Sequence, residues 1–282
     1  MIEKPTPEQL RPHPGERKES EPKFKDLMIV TSTLFKDASE PVTKARMEIA
    51  LKFFQKARDL QIRCAVLDSG SDPGFIVELK KFDNVEVKID AQIGMGPSRR
   101  EALQMALKHE EIPFFLHTDP EKDDLINEQS LERMIAQLRG NQADIVVANR
   151  IGLIDKDSKV SRSMTKLQRW FEIRANKRAN KILFGDTEGS QVDIWFGAKM
   201  FNRDGAKYFA DYKSRLDKWD SMVKPIFDAH RDNKRVAAVD VDYSYDESQR
   251  KSEENSREIS QKRLDQYKLI LAALEDPYWK DK

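Results

Sequence analysis

Ile112-Pro113-Phe114-Phe115-Leu116-His117-Thr118-Asp119-Pro120-Glu121-Lys122-Asp123-Asp124 is the stretch whose reading decides the fold. The apolar run from Ile112 to Leu116 reads as a buried strand. It stops against four carboxylates within six residues, Asp119, Glu121, Asp123 and Asp124. A strand apolar on both faces belongs inside a parallel sheet covered by helices. Polar residues just past its carboxyl end fall where such sheets bind ligands. Asp119 and Glu121 are two apart, so on an extended segment they face the same side. Oxygen ligands of that kind suit Mg2+ or Mn2+ shared with substrate phosphates. The other reading is a turn with a helix start, in which Asp123 and Asp124 favour a helix dipole.

The same rhythm extends in both directions. Leu27–Val30, Ile62–Leu67, Val85–Ile89 and Ala143–Ala148 read as further strands. Between them, Val42, Ala45, Ile49, Phe53, Ala57 and Leu60 recur at helical spacing, as do Leu131, Met134, Ile135 and Leu138. Residues 98–108 form a third helical pattern, and a helix or turn is expected near Phe75–Phe82. This alternation predicts an α/β fold with a mostly parallel central sheet flanked by helices. The second half is less regular. It predicts a helix from Ser163 to Phe184, a strand at Val192–Phe196, helices near Asp204–Tyr212 and Trp219–Arg231, a strand at Arg235–Tyr243 and a terminal helix over Ile259–Leu274. Short connections favour one domain with two lobes, residues 26–150 and 151–282, behind a tail over residues 1–25. Five of the twelve prolines fall in that tail among charged residues, so it is expected to be disordered.

Composition narrows the classes. The 282 residues carry 50 Lys plus Arg against 49 Asp plus Glu, a net charge of +1, which argues against a dedicated nucleic-acid binder. Cys64 is the single cysteine, so an intramolecular disulfide and a cysteine-clustered zinc site are excluded. Apolar runs such as Ile145–Ala148 fall far short of the roughly 20 residues that span a bilayer. The first residues carry no apolar signal region, and a cytoplasmic location is expected.

The other strand ends are polar and small. Asp68-Ser69-Gly70-Ser71-Asp72 follows the second strand, either as a carboxylate-bearing site or as an Asx-type turn capping the next helix. Gly94-Met95-Gly96-Pro97-Ser98-Arg99-Arg100 precedes a helix and can cradle an anion, although a dinucleotide fingerprint would need a third glycine. From Arg162 to Lys181 seven basic residues face a single acid, Glu172. That face is either simply solvated or attracts an acidic acceptor or an anionic membrane surface, so a peripheral membrane contact stays open.

Taken in order, these segments resemble the GT-A glycosyltransferases, and within them family 2 enzymes of the dolichyl-phosphate-mannose-synthase kind. The resemblance covers residues 27–245. Asp68-Ser69-Gly70-Ser71 stands where that family has Asp-Asp-Gly-Ser, Arg99 follows a Gly-rich turn, and Asp119-Pro120-Glu121 takes the place of Asp-x-Asp. Ala148-Asn149-Arg150, Asn180, Asp193 and Phe196-Gly197-Ala198-Lys199 look similar to the later motifs. The first strand departs from the pattern, ending in Thr31-Ser32-Thr33-Leu34-Phe35 without the usual aromatic and Glu.

The resemblance implies a nucleotide-sugar donor over the sheet and an unknown acceptor, with an anionic one among the readings. Asp68, Arg99 and Asp119 would bind the nucleotide, and Asp119 with Glu121 would hold Mn2+ or Mg2+. Asp220 and then Asp217 would serve as catalytic base, with Trp219 stacking on a sugar or filling core. Arg150, Arg250 and Lys251 would contact phosphate or acceptor. His117 is either a phosphate contact or a structural residue. Two rivals remain. A sugar nucleotidyltransferase would want a glycine-rich loop after the first strand, and Thr31–Asp37 contains no glycine. A non-catalytic binding protein of the same fold would account for the altered first-strand motif.

Overall fold

The computed structural model describes residues 22–91, 94–185, 191–213, 217–246, 250–251 and 256–275. Seven strands form one sheet in the order β3-β2-β1-β4-β6-β5-β7. They are β1 (Leu27–Thr33), β2 (Arg63–Asp68), β3 (Val85–Ile89), β4 (Phe114–His117), β5 (Ile145–Arg150), β6 (Lys199–Asn202) and β7 (Val236–Val241). All neighbours are parallel except β6, which runs antiparallel between β4 and β5. The expected mostly parallel sheet is therefore present, and it runs continuously through both halves of the chain.

Alternation along the strands divides the core. Met28, Val30, Ala65, Leu67, Phe115 and Phe201 point to one face, where they meet α3 (Met95–Leu107), α6 (Lys166–Phe184), α7 (Arg203–Ala210), α8 (Lys224–Arg231) and α9 (Arg257–Glu275). Leu27, Ile29, Cys64, Val66, Leu116 and Met200 point to the other, under α1 (Pro41–Asp59), α2 (Pro73–Leu79) and α4 (Glu128–Arg139). Phe53 and Phe54 of α1 are wholly buried there, each worth about 1.5–3 kcal/mol of transfer free energy. A short helix, α5 (Lys159–Arg162), precedes α6.

Four expectations are corrected. The strand at Val192–Phe196 is irregular chain, and the strand lies instead at Lys199–Asn202. Side chains hold the irregular segment: Asn180 accepts from the Val192 amide at 2.7 Å and Asn176 donates to Asp193 at 2.8 Å. The Ser163–Phe184 helix starts at Lys166, because Thr165 caps it by accepting from the Gln168 amide. The Trp219–Arg231 helix is a 3-10 turn, Trp219–Met222, followed by α8, whose first turn holds Pro225; proline suits that position because its missing N–H would have no partner there. Residues 1–21 of the expected tail lie outside the described residues, but Phe24 is buried in the core and Lys23 pairs with Glu128. Ordered structure thus begins before residue 26.

Candidate functional site

Strand order reverses between β1 and β4, because β1 leads outward to β2 and β4 leads inward to β6. At such a switch point the loops beyond the strands splay apart and leave a crevice. A cavity of about 260 Å3 occupies it. Ser32–Phe35 at and beyond the end of β1, Ser69 after β2 and Asp119–Lys122 after β4 line its floor and one wall. Arg99 of α3, Trp219 and the Lys262, Arg263 and Gln266 side of α9 close the other. Helix α9 is held there by Tyr267, whose ring stacks on Phe171 of α6 at 4.7 Å.

Asp119 is the centre of the charge pattern. Lys122 Nζ donates to its Oδ2, and Arg99 Nη2 lies 3.7 Å from its Oδ1. A tight turn creates the first contact: the Lys122 amide donates to the Asp119 carbonyl at 3.1 Å, so the two side chains meet. Gly197 makes room for it, with a φ of +83° that side chains rarely adopt and a position where a Cβ would stand 3.4 Å from both Asp119 Oδ2 and Lys122 Nζ. Partial burial works against the Asp119 carboxylate, whose side chain is 41% exposed, but Lys122 and Arg99 prevail and hold it well below the usual range.

Beneath this pair the sheet is basic. His117 of β4 and Lys199 of β6 are register partners and both are buried. Burial, reinforced by Arg99, pushes His117 down to about 3, so its ring is neutral. Neither ring nitrogen has a hydrogen-bond partner, nor do Arg99 Nε and Nη1, Thr118 Oγ1 or Trp195 Nε1. Burial, with Lys122 next, lowers Lys199 to about 7; its Nζ reaches only the Ile194 carbonyl at 3.4 Å. Between pH 7 and the ordinary lysine value the unfolded chain therefore binds a proton that the native protein does not, and stability rises with pH through that window. Denaturant unfolding is expected to show a gain on the order of 1 kcal/mol per pH unit from pH 7 upward. Lys199→Met should remove that slope and be the more stable protein at pH 7. An unchanged slope in the variant would place the titrating group elsewhere.

The sequence candidates divide accordingly. Arg99, Asp119 and Glu121 line the cavity. Asp68 is wholly buried and organises the turn beside it, accepting from Thr33 Oγ1 at 2.7 Å and from the amides of Gly70 and Ser71 at 2.9 and 2.8 Å; Ser69 is the residue of that turn on the cavity wall. Asp217 is clasped by both terminal nitrogens of Arg100, outside the cavity lining. Asp220 is buried behind Trp219, accepting from Tyr212 Oη and the Lys218 amide, each at 2.8 Å. Trp219 faces the cavity with the Arg99 guanidinium 4.9 Å from its ring centre.

The expectation for Arg150 is corrected. Its side chain is wholly buried, paired with Glu172 and, at 2.6 Å, with Asp193, so it joins β5 to α6 rather than contacting a phosphate. Arg250 and Lys251 do not line the cavity; Lys262 and Arg263 occupy that side. The sequence reading missed these two, together with Arg46. Nothing along α9 or α1 marks them, whereas Lys122 could have been found from its position three residues after Asp119.

A divalent cation shared with a diphosphate needs one or two carboxylates free to face the phosphates. Here Asp119 is engaged by Lys122, while Glu121 turns to Arg46, 2.8 Å from Nε and 2.7 Å from Nη2. Among the described residues no three His, Cys, Asp or Glu side chains gather to hold a metal ion. A cation between the carboxylates would also meet Lys122 and Arg99; like unit charges 4 Å apart repel by about 4 kcal/mol at an effective dielectric of about 20. The expected convergence of Asp119 and Glu121 on one metal is not what these side chains do, and as folded the residues do not fit it.

No family model and no curated protein matches the chain. Solved structures do. Glucosyl-3-phosphoglycerate synthase from Mycobacterium tuberculosis in complex with phosphoglyceric acid is similar with a TM-score of 0.55 at 13% identity, over 88% of this chain and 78% of that one. The same enzyme in complex with Mn2+ and uridine-diphosphate-glucose gives 0.54 at 12% identity, over 88% and 77%. A structure described only as a mycobacterial protein gives 0.53 at 11%, over 88% and 73%. The chain thus has the GT-A glycosyltransferase fold. Among the described residues no helix is long and apolar enough to cross a membrane.

Proposed function

We propose that the protein is a glycosyltransferase that takes a sugar from a nucleoside-diphosphate donor. The observation that carries this reading is the cavity at the switch point, lined by Arg99, which keeps two buried nitrogens unpartnered, and by the Asp119–Lys122 pair. Buried donors without acceptors cost about 1–3 kcal/mol each, and an anionic ligand meets that demand. When the glycosidic bond breaks, negative charge grows on the departing diphosphate. Fixed cations already in place stabilise it without reorganising. The ring of Trp219 offers a face for the sugar. Lys262 and Arg263 at the α9 side suit an anionic acceptor, in keeping with the phosphoglyceric acid named for the neighbour.

A non-catalytic donor-binding protein is the second reading. It is favoured by one observation: neither Asp217 nor Asp220 faces the cavity, and Asp119 and Glu121, which do, are ion-paired. One experiment separates the two. The protein is incubated with uridine-, guanosine- and adenosine-diphosphate sugars, with and without phosphorylated small acids, and nucleoside diphosphate release is followed. Acceptor-dependent release from one donor is expected. Tight donor binding without release would favour the second reading, and no binding of any donor would end both.

A further inference from the structure

The site's cations are built into the chain, and that suggests how a donor is held. We propose that Lys122 takes the position a divalent metal would occupy, so that this protein binds a nucleoside diphosphate without a metal ion. The inference rests on the donor reading above and deepens it.

Three independent observations point this way. The Lys122 side chain is only 8% exposed and its ammonium is already bonded to Asp119, the carboxylate nearest the β4 end. An ammonium there does what a bridging cation does: it ties a fixed carboxylate to a phosphate oxygen, using one proton for the carboxylate and leaving two for the ligand. Second, the other carboxylate that a metal would need is withdrawn, since Glu121 is held by Arg46 of α1. Third, the charge balance is already anion-seeking. Lys122 and Arg99 surround one carboxylate, and Arg99, a lining residue buried to more than nine-tenths, keeps Nε and Nη1 buried and unpartnered. A dication added to this group meets repulsion, whereas a diphosphate carrying two or three negative charges meets donors. Guanidinium and ammonium groups bind phosphate oxygens by charge-assisted hydrogen bonds.

The test measures binding, not turnover. Uridine, guanosine and adenosine diphosphates are titrated calorimetrically into the full chain in excess EDTA and again in millimolar Mn2+ or Mg2+. Bound Mn2+ is followed by its electron paramagnetic resonance signal. One diphosphate is expected to bind with affinities that agree within about twofold across the conditions, with no protein-bound Mn2+ signal. Lys122→Met should weaken binding at least tenfold, and Lys122→Arg should restore most of it. Circular dichroism of both variants separates a binding loss from misfolding, and if Lys122→Met does not fold, the wild-type metal comparison decides alone. Binding that needs Mn2+ or Mg2+, or a bound Mn2+ signal that appears with the diphosphate, overturns the inference while the donor reading survives. No binding in any condition overturns both.

Discussion

Replacing Arg150 with methionine is expected to destabilise the protein by about 3–5 kcal/mol, because it removes one member of a buried charge cluster and strands the others. Arg150, Glu172 and Asp193 have no exposed side-chain surface. Burial alone would lower the pKa of the guanidinium, yet Asp193 and Glu172 raise it well above the ordinary value. The remaining contacts fix the geometry: Gln168 donates to Glu172 at 2.8 Å, Asn176 to Asp193 at 2.8 Å, and Arg150 itself to Tyr245 Oη at 3.1 Å. Without Arg150 the two carboxylates face each other in a dry interior, and at least one must take up a proton to fold. A carboxyl whose native pKa lies above its unfolded value stabilises most at low pH and loses that stability as pH rises. The deficit of the variant should therefore be larger at pH 8 than at pH 5 in urea unfolding. Adding Glu172→Gln and Asp193→Asn should recover much of it. A deficit that ignores pH would mean that lost packing, not stranded charge, is the cause.

Arg99→Met is expected to have the opposite character, a large loss of binding with little loss of stability. The guanidinium is buried, which lowers its pKa, and its nearest anion is 3.7 Å away. A buried cation so weakly paired contributes little to folding. A methionine keeps an apolar sulfur and methyl beside the Trp219 ring, although the guanidinium stacked over it is lost. Two charge-assisted hydrogen bonds to phosphate would vanish, each worth about 1.5–3 kcal/mol, and nucleoside diphosphate affinity should fall by about 100-fold or more. Arg99→Lys should recover only part, since a point charge lacks the planar fork. Calorimetric titration gives the affinity and urea unfolding gives the stability. Unchanged affinity would show that these nitrogens do not meet the ligand.

Arg150 also explains a feature of the α6 face. The single acid among its basic residues, Glu172, is spent inside the protein on Arg150. Arg174, Lys177, Arg178 and Lys181 are left exposed.

Legible from the residues alone were the α/β class, the approximate positions of β1 to β5 and of the helices between them, and the polar ends of the strands. Those features are local. Whether a residue is buried follows from the spacing of its apolar neighbours along the chain, and a strand ends where apolar residues give way to polar ones. Only the tertiary structure decided what each charged group does. Arg46 and Glu121 are 75 residues apart, Arg150 and Asp193 are 43 apart, and Arg100 and Asp217 are 117 apart. No spacing rule links such pairs, because which cation neutralises which carboxylate depends on how helices dock across the sheet. The antiparallel β6 was hidden for the same reason, since side-chain bonds from α6, not chain-local pattern, fix the irregular segment that leads into it. The acidic strand end was legible; that its first carboxylate bonds a lysine three residues on, and its second an arginine from α1, was not.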